Sequence, residues 1–298
     1  MSGGAEPRRV PTADGRHLDV RVAGPDGGPA VLFHVGTPSA GFLFDPLVEL
    51  GAERGVRHVT YSRPGYGRSD RAEGRTVADC AGDVAAIMDA LGIERFHTVG
   101  WSGGGPHALA CAALLADRTI AAATIASVAP FDAEGLDFLD GMGPENQDEF
   151  GAALAGAEEL RAFLSREREG MLAAGPEEIG ASLGELLSPV DRETASGGFA
   201  EYLTALFHGG LETDIWGWYD DDLAFVADWG FALDRIAVPV TVWQGSEDRM
   251  VPYGHGRWLA EHVAGAEARL LEGEGHLSIL LGQYGRLLDE LLGHEAVV

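Results

Sequence analysis

The stretch Phe96-His97-Thr98-Val99-Gly100-Trp101-Ser102-Gly103-Gly104-Gly105-Pro106 decides the fold. Phe96 to Gly100 reads as a short buried strand, and the alanine- and leucine-rich residues Pro106 to Ala116 read as a helix. Ser102 stands on the turn between them, with Gly100 two residues before it and Gly104 two after. A serine on so tight a turn has strained backbone angles, so side chains at those two flanking positions would collide. The turn lifts Oγ clear of the sheet. It also aims the Gly103 N–H and the positive end of the helix at any oxyanion forming beside Ser102. In a chain with 43 glycines the bare spacing means little. Its place between a strand and a helix gives it weight.

Outward from this turn, short apolar runs alternate with longer helical segments. Arg8 to Pro11 and His17 to Ala23 suggest an opening hairpin. Ala30 to His34, His58 to Tyr61, Ile120 to Val128, Val238 to Gln244 and Ala268 to Leu271 suggest further strands. Helices are expected over Phe44 to Arg54, Val77 to Leu91, His255 to Val263 and Ser278 to Leu292. Continuous apolar strands separated by helices predict an α/β fold, with a mostly parallel central sheet covered on both faces. Residues 131–235 break the alternation, because no strand is evident there and helical segments are. The expected organisation is a core of residues 1–130 and 236–298 with a helical cap over 131–235.

At 298 residues and 46% hydrophobic, the chain can bury a large core. It has 47 acidic residues against 21 cationic ones, all arginine, since lysine is absent. Schiff-base and phosphate-loop lysine chemistry is thereby excluded. A net charge of −26 repels nucleic acid and anionic lipid, so neither is an expected partner. Of the acidic residues, 24 lie between 131 and 235. The plainer reading is a solvated cap, and the sharper one a negative rim that disfavours anionic substrates. Cys80 and Cys111 form no disulfide framework and are expected as buried thiols. The first residues lack a secretory profile and no apolar run is long enough to span a bilayer, so a cytoplasmic protein is expected.

A serine hydroxyl needs a base. His276, in Glu272-Gly273-Glu274-Gly275-His276, follows a candidate strand and precedes the last helix, which places it at the carboxyl ends of the strands with Ser102. His107 lies too close along the helix, His255 and His262 fit helix positions, and His294 is in the tail. An acid to orient the histidine is found in Gly245-Ser246-Glu247-Asp248 just past a strand, where Asp248 is preferred to its neighbour Glu247. The chain order is then Ser, Asp, His.

These three segments together resemble the α/β-hydrolase family over nearly the whole chain. Phe33-His34-Val35-Gly36-Thr37-Pro38 resembles the family's His-Gly-x-Pro oxyanion loop, although Val35 stands where histidine is usual and His34 lies one place earlier. Arg63-Pro64-Gly65-Tyr66-Gly67-Arg68-Ser69 resembles its Arg-Gly-x-Gly-x-Ser loop with Pro64 in a glycine position, and is read as a structural turn without a catalytic part. The resemblance implies an α/β-hydrolase fold with a helical cap, a second oxyanion donor in the Thr37 N–H beside that of Gly103, and no cofactor or metal. The general look is of proline-iminopeptidase-like and small-molecule esterase members. Trp101 flanks the serine, and Trp216, Trp218, Tyr219, Trp229 and Phe231 could line an apolar pocket or form the cap's own core.

The function expected is hydrolysis of an ester or amide of a small, neutral, largely apolar substrate through Ser102, His276 and Asp248. Family members with an aspartate at the elbow, the epoxide hydrolases and haloalkane dehalogenases, are disfavoured by Ser102. The alternatives are a lyase, acyltransferase or cofactor-free perhydrolase on the same triad, and a ligand receptor with slow or no turnover. A small-molecule substrate is the expected partner, and a homodimer is left open.

Overall fold

The structure is a computed structural model that describes residues 7–294. Eight strands form one sheet: β1 (Arg8–Pro11), β2 (His17–Ala23), β3 (Ala30–His34), β4 (Arg57–Tyr61), β5 (Phe96–Trp101), β6 (Thr119–Ile125), β7 (Val240–Gly245) and β8 (Glu267–Leu271). Their spatial order is β1-β2-β4-β3-β5-β6-β7-β8. The β1–β2 and β2–β4 pairs are antiparallel, and every pair from β4–β3 to β7–β8 is parallel. Strands β3, β5 and β7 are buried at every residue, as continuous apolar strands in a doubly covered sheet must be.

The helices are α1 (Asp45–Ala52), α2 (Cys80–Leu91) and α3 (Gly105–Leu114) from the first half of the chain, followed after β6 by α4 (Pro144–Ala155), α5 (Ala157–Ala173), α6 (Ile179–Ser182), α7 (Pro189–Thr194), α8 (Gly197–Leu211) and α9 (Trp216–Val226), and last by α10 (Tyr253–His262) and α11 (Ser278–Leu292). One core cluster joins the sheet to Val84, Ile87 and Met88 of α2, Leu109 of α3 and Leu259 of α10. A second joins it to Leu47 of α1 and to Leu280, Tyr284, Leu287, Leu288 and Leu291 of α11, which recur at helical spacing on one face. The expected strands and helices are all present, with ends moved by a residue or a few. Two of these shifts have plain causes. β6 stops at Ile125 because Ala126 turns left-handed (φ 51°), and β7 starts after Pro239, which has no N–H to give the ladder.

No described residue between Ile125 and Val240 is in a strand, and α4 to α9 fill that interval. These helices have a small cluster of their own, with Leu160 and Leu164 of α5, Leu211 of α8 and Trp218 of α9 packed around Tyr66 from the loop after β4. Both cysteines are free and buried. No helix among the described residues is long and apolar enough to cross a membrane.

Candidate active site

Strand β5 ends into a short 3-10 turn, Ser102–Gly104, and then into α3. Ser102 has φ 56°, and only one other described non-glycine residue, Ala126, is left-handed. The glycines around it are sterically required. A Cβ on Gly100 would overlap the Gly104 carbonyl, and one on Gly104 would overlap the carbonyl of His34. The expected elbow is therefore what the chain builds, with Ser102 held at a backbone angle that costs about 1–2 kcal/mol.

The loop after β3 lies against this turn. A Cβ on Gly36 would stand 3.1 Å from the Ser102 Cβ, and one on Gly103 would stand 2.5 Å from Thr37 Oγ1. Gly36 thus packs against the Ser102 side chain, and the Thr37 side chain packs against Gly103. His34, by contrast, is buried beneath the site. Its Nε2 lies 3.1 Å from Thr98 Oγ1, and its ring packs on Tyr61 and His107.

His276 and Asp248 meet as expected. The His276 Nδ1–H donates to Asp248 Oδ2 at 2.9 Å, and both side chains are almost fully buried. Gln244 Nε2 donates to the same oxygen at 3.0 Å, and the Met250 and Val251 N–H groups donate to Oδ1 at 2.9 and 2.8 Å. With four donors the carboxylate is fixed in place, so the tautomer of His276 is fixed too, with its proton on Nδ1. Burial opposes a charge on His276, and the Asp248 carboxylate outweighs it, raising the imidazole above its ordinary pKa. Trp101 braces the ring: its Nε1–H donates to the His276 carbonyl at 3.3 Å and the two rings lie 5.6 Å apart.

Sequence reasoning missed two supports. Asp191 of α7, 0% exposed, accepts hydrogen bonds from the N–H groups of His276, Leu277 and Ser278 at 2.8, 2.8 and 3.0 Å, and so caps the start of α11. Gly275 is a glycine because any Cβ there would strike that carboxylate. The second support is Arg63, which was read as part of a structural turn. It does not line the cavity, but its guanidinium donates to the carbonyls of Val35 and Gly36 at 2.5 and 2.9 Å and to Thr37 Oγ1 at 2.9 Å. It also pairs with Asp221 of α9 at 2.6 Å, where Arg75, Tyr66 and Thr37 donate as well. Arg71 holds Asp220 through two hydrogen bonds of 2.8 and 2.9 Å. Asp191, Asp220, Asp221 and Asp222 are all buried, which corrects the solvated reading of the acidic stretch at those four positions.

A cavity of about 150 Å³ joins these parts, lined by Gly36, Thr37, Ser102, Gly103 and His276 on the sheet side and by α4, α5, α8 and α9 above. Among the expected aromatics, Trp101 and Trp218 line it. Trp216, Tyr219, Trp229 and Phe231 do not, because each has another packing partner. Trp216 carries Arg71 over its ring at 4.0 Å and meets Tyr219 edge-on, while Trp229 and Phe231 pack with each other against the core that holds α2 and α3. Phe150, Phe207 and Phe225 supply the apolar wall instead. No group of three or more His, Cys, Asp or Glu among the described residues could hold a metal ion.

Residues 29–283 match the family model for the α/β hydrolase fold. The chain is 30% identical over 276 residues to a non-heme chloroperoxidase from Streptomyces lividans, covering 90% of this chain and 92% of that one. It is 29% identical over 254 residues to a bifunctional esterase/perhydrolase from Acinetobacter calcoaceticus, covering 82% and 83%. Among solved structures it resembles the enol-lactonase from Burkholderia xenovorans, with a TM-score of 0.72, 21% identity, and 96% of this chain and 100% of that one covered. The chain belongs to the α/β-hydrolase fold family and is an enzyme of the hydrolase class.

Proposed function

We propose that the protein is a serine hydrolase that cleaves carboxylic esters through an acyl-enzyme. The observation that carries this reading is the 2.9 Å bond from His276, which lines the same cavity as the strained Ser102, to a fully buried Asp248 behind it. In the forward half-reaction Ser102 Oγ attacks the ester carbonyl, His276 Nε2 takes the hydroxyl proton, and Asp248 stabilises the imidazolium. The N–H groups of Thr37 and Gly103 receive the oxyanion. His276 then returns the proton to the departing alkoxide, which leaves the acyl group on Ser102. A water molecule, deprotonated by the same nitrogen, releases the acid and restores the serine. Helices α4 to α9 act as a cap that shields the acyl-enzyme, and the apolar wall selects a small hydrocarbon group.

A second reading comes from the names of two relatives. Hydrogen peroxide in place of water would attack the same acyl-enzyme and release a peracid, a bifunctionality stated for the Acinetobacter relative. Rates on short-chain 4-nitrophenyl esters, with and without peroxide, test both readings. Ester turnover that disappears in Ser102→Ala supports the hydrolase. A peracid signal, read as halide oxidation that needs both ester and peroxide, supports the second. No Ser102-dependent turnover of any ester refutes both.

A further inference from the structure

The cavity carries a charge imbalance for which hydrolysis of a neutral ester has no use. Its upper wall holds four carboxyl groups: Glu145 and Glu149 from α4, Glu167 from α5 and Asp222 from α9. No arginine lines the cavity, and the chain has no lysine. The imidazole of His276 is committed to Asp248. Arg63 and Arg75, the cations on the neighbouring Asp221, are held there by ion pairs of 2.6 Å. Glu167 pairs with Arg166 at 3.1 Å and Glu145 accepts the Glu185 N–H at 2.9 Å, which leaves Glu149 and Asp222 as the carboxyls on this wall without a protein cation or backbone donor.

Asp222 makes the case specific. It is 1% exposed, and neither of its oxygens receives a hydrogen bond from an N–H or hydroxyl donor among the described residues. Its neighbour is the Glu149 carboxyl, which itself accepts the Trp218 indole N–H at 2.7 Å. Burial, with Glu167 nearby, pushes Glu149 up to about 7, and burial, with Glu149 and Asp221 nearby, pushes Asp222 up as well. Each carboxyl is thus pushed toward its neutral form, and a proton is shared between the two. That one proton serves at most one Asp222 oxygen, and a buried acceptor left without a donor is costly unless a ligand supplies it. A metal ion does not meet the need, because these carboxyls are not grouped to hold one. An alkylammonium does, since it brings three N–H donors and a positive charge, while its hydrocarbon stem suits Phe150, Phe163, Leu186 and Phe225 on the same walls.

We infer that the α4/α9 end of the cavity is a cation subsite, with Asp222 and Glu149 as its acceptors, and that the preferred substrates are esters bearing an ammonium group at the end of a short hydrocarbon chain. The subsite stands on its own geometry, whereas the substrate class rests on the hydrolytic reading above.

Calorimetric titration with hexylammonium and with hexanol separates charge from chain length and needs no turnover. At about pH 8 hexylammonium binds at least tenfold more tightly than hexanol, and Asp222→Asn and Glu149→Gln each remove most of that preference. The preference also grows from about pH 6 to about pH 8. The ligand, with a pKa close to lysine's value of about 10.4, stays charged throughout while Glu149 gives up its proton. The groups facing the Glu149–Asp222 pair are Glu145 on α4, Glu167 on α5, Asp221 on α9 and the two arginines that hold Asp221 ionised, and Glu149 is the carboxyl raised into this range. Equal binding of the two ligands, or a preference that survives both substitutions, overturns the subsite. In parallel, 4-nitrophenyl 6-aminohexanoate is turned over with at least tenfold higher kcat/KM than 4-nitrophenyl heptanoate, which has a methyl in place of the ammonium. A cation preference in binding without Ser102-dependent turnover of either ester would refute the hydrolytic reading and leave the subsite standing. Turnover of both esters at equal kcat/KM, with no preference in binding, would do the reverse.

Discussion

Replacing Arg63 with methionine removes a guanidinium that is 1% exposed and bonded to two carbonyls, to Thr37 Oγ1 and to Asp221. Breaking a buried ion pair from one side costs about 3–5 kcal/mol, because the remaining charge is left without its partner. Here Arg75 still reaches Asp221 at 2.6 Å, and Tyr66 and Thr37 still donate to it, so the lower end, about 3 kcal/mol, applies. In a chain of this size that lowers Tm by roughly 5 °C. The change also frees the carbonyls on either side of Gly36 and the Thr37 hydroxyl, and a displacement of about 1 Å at an oxyanion donor costs about 100-fold in rate. The expected result is a folded, destabilised protein with kcat/KM down at least tenfold and KM little changed. Arg63→Lys keeps the charge without the planar fork and falls between the two. The double variant Arg63→Met/Asp221→Asn loses less stability than the sum of the singles, by about 1–2 kcal/mol, because the stranded carboxylate is gone. Thermal unfolding by circular dichroism and ester kinetics check each value. If Arg63→Met costs under about 1 kcal/mol and keeps full kcat/KM, the Thr37 loop holds itself and the positioning role is refuted.

Three further outcomes follow from the same geometry. His276 must be neutral to act as base, so the acid limb of kcat/KM lies above the ordinary imidazole value of about 6.5; Asp248→Asn, which leaves burial unopposed, moves that limb below it and lowers kcat by about 10⁴. A limb that stays put in the variant would show that Asp248 does not govern the charge on His276. Ser102→Gly relieves the left-handed φ and is expected to be inactive yet equal to or more stable than the parent by up to about 1 kcal/mol, as measured by denaturant midpoint; a clear loss of stability would contradict the strain. Glu149 is raised to about 7 in the folded state against about 4.3 when unfolded, so the stability it contributes is complete below about pH 4.3 and is lost as pH rises through about 7. Between pH 6 and pH 8 the parent should therefore lose on the order of 1 kcal/mol that Glu149→Gln keeps, and parallel stability curves would rule this out.

What could be read from the sequence follows from how far apart the cooperating residues lie. The elbow was legible because its requirement is local: Gly100 and Gly104 are fixed by collisions with carbonyls next to the turn. The closeness of Asp248 and His276 was legible because a parallel sheet delivers the carboxyl ends of its strands to one edge, which brings the residues just past β7 and β8 together there. The supports were not legible. Arg63 and Asp221 are 158 residues apart, Arg71 and Asp220 149, and Asp191 and His276 85. In sequence, the run Tyr219-Asp220-Asp221-Asp222 looks like a solvated acidic patch, because nothing within it names the arginines that bury it. The aromatics failed for a related reason. Helical spacing brings Trp218 and Tyr219 onto α9, but only the fold decides that Trp218 faces the cavity while Tyr219 and Trp216 face Arg71.

The most direct test of the central claim is the intact mass of the protein after brief exposure to a fluorophosphonate, with the modified peptide mapped, for the parent, Ser102→Ala and His276→Ala. The account predicts one adduct per chain, on Ser102, formed quickly in the parent, absent in Ser102→Ala and suppressed in His276→Ala. A folded parent that stays unlabelled at Ser102, or labels equally well without His276, would contradict it.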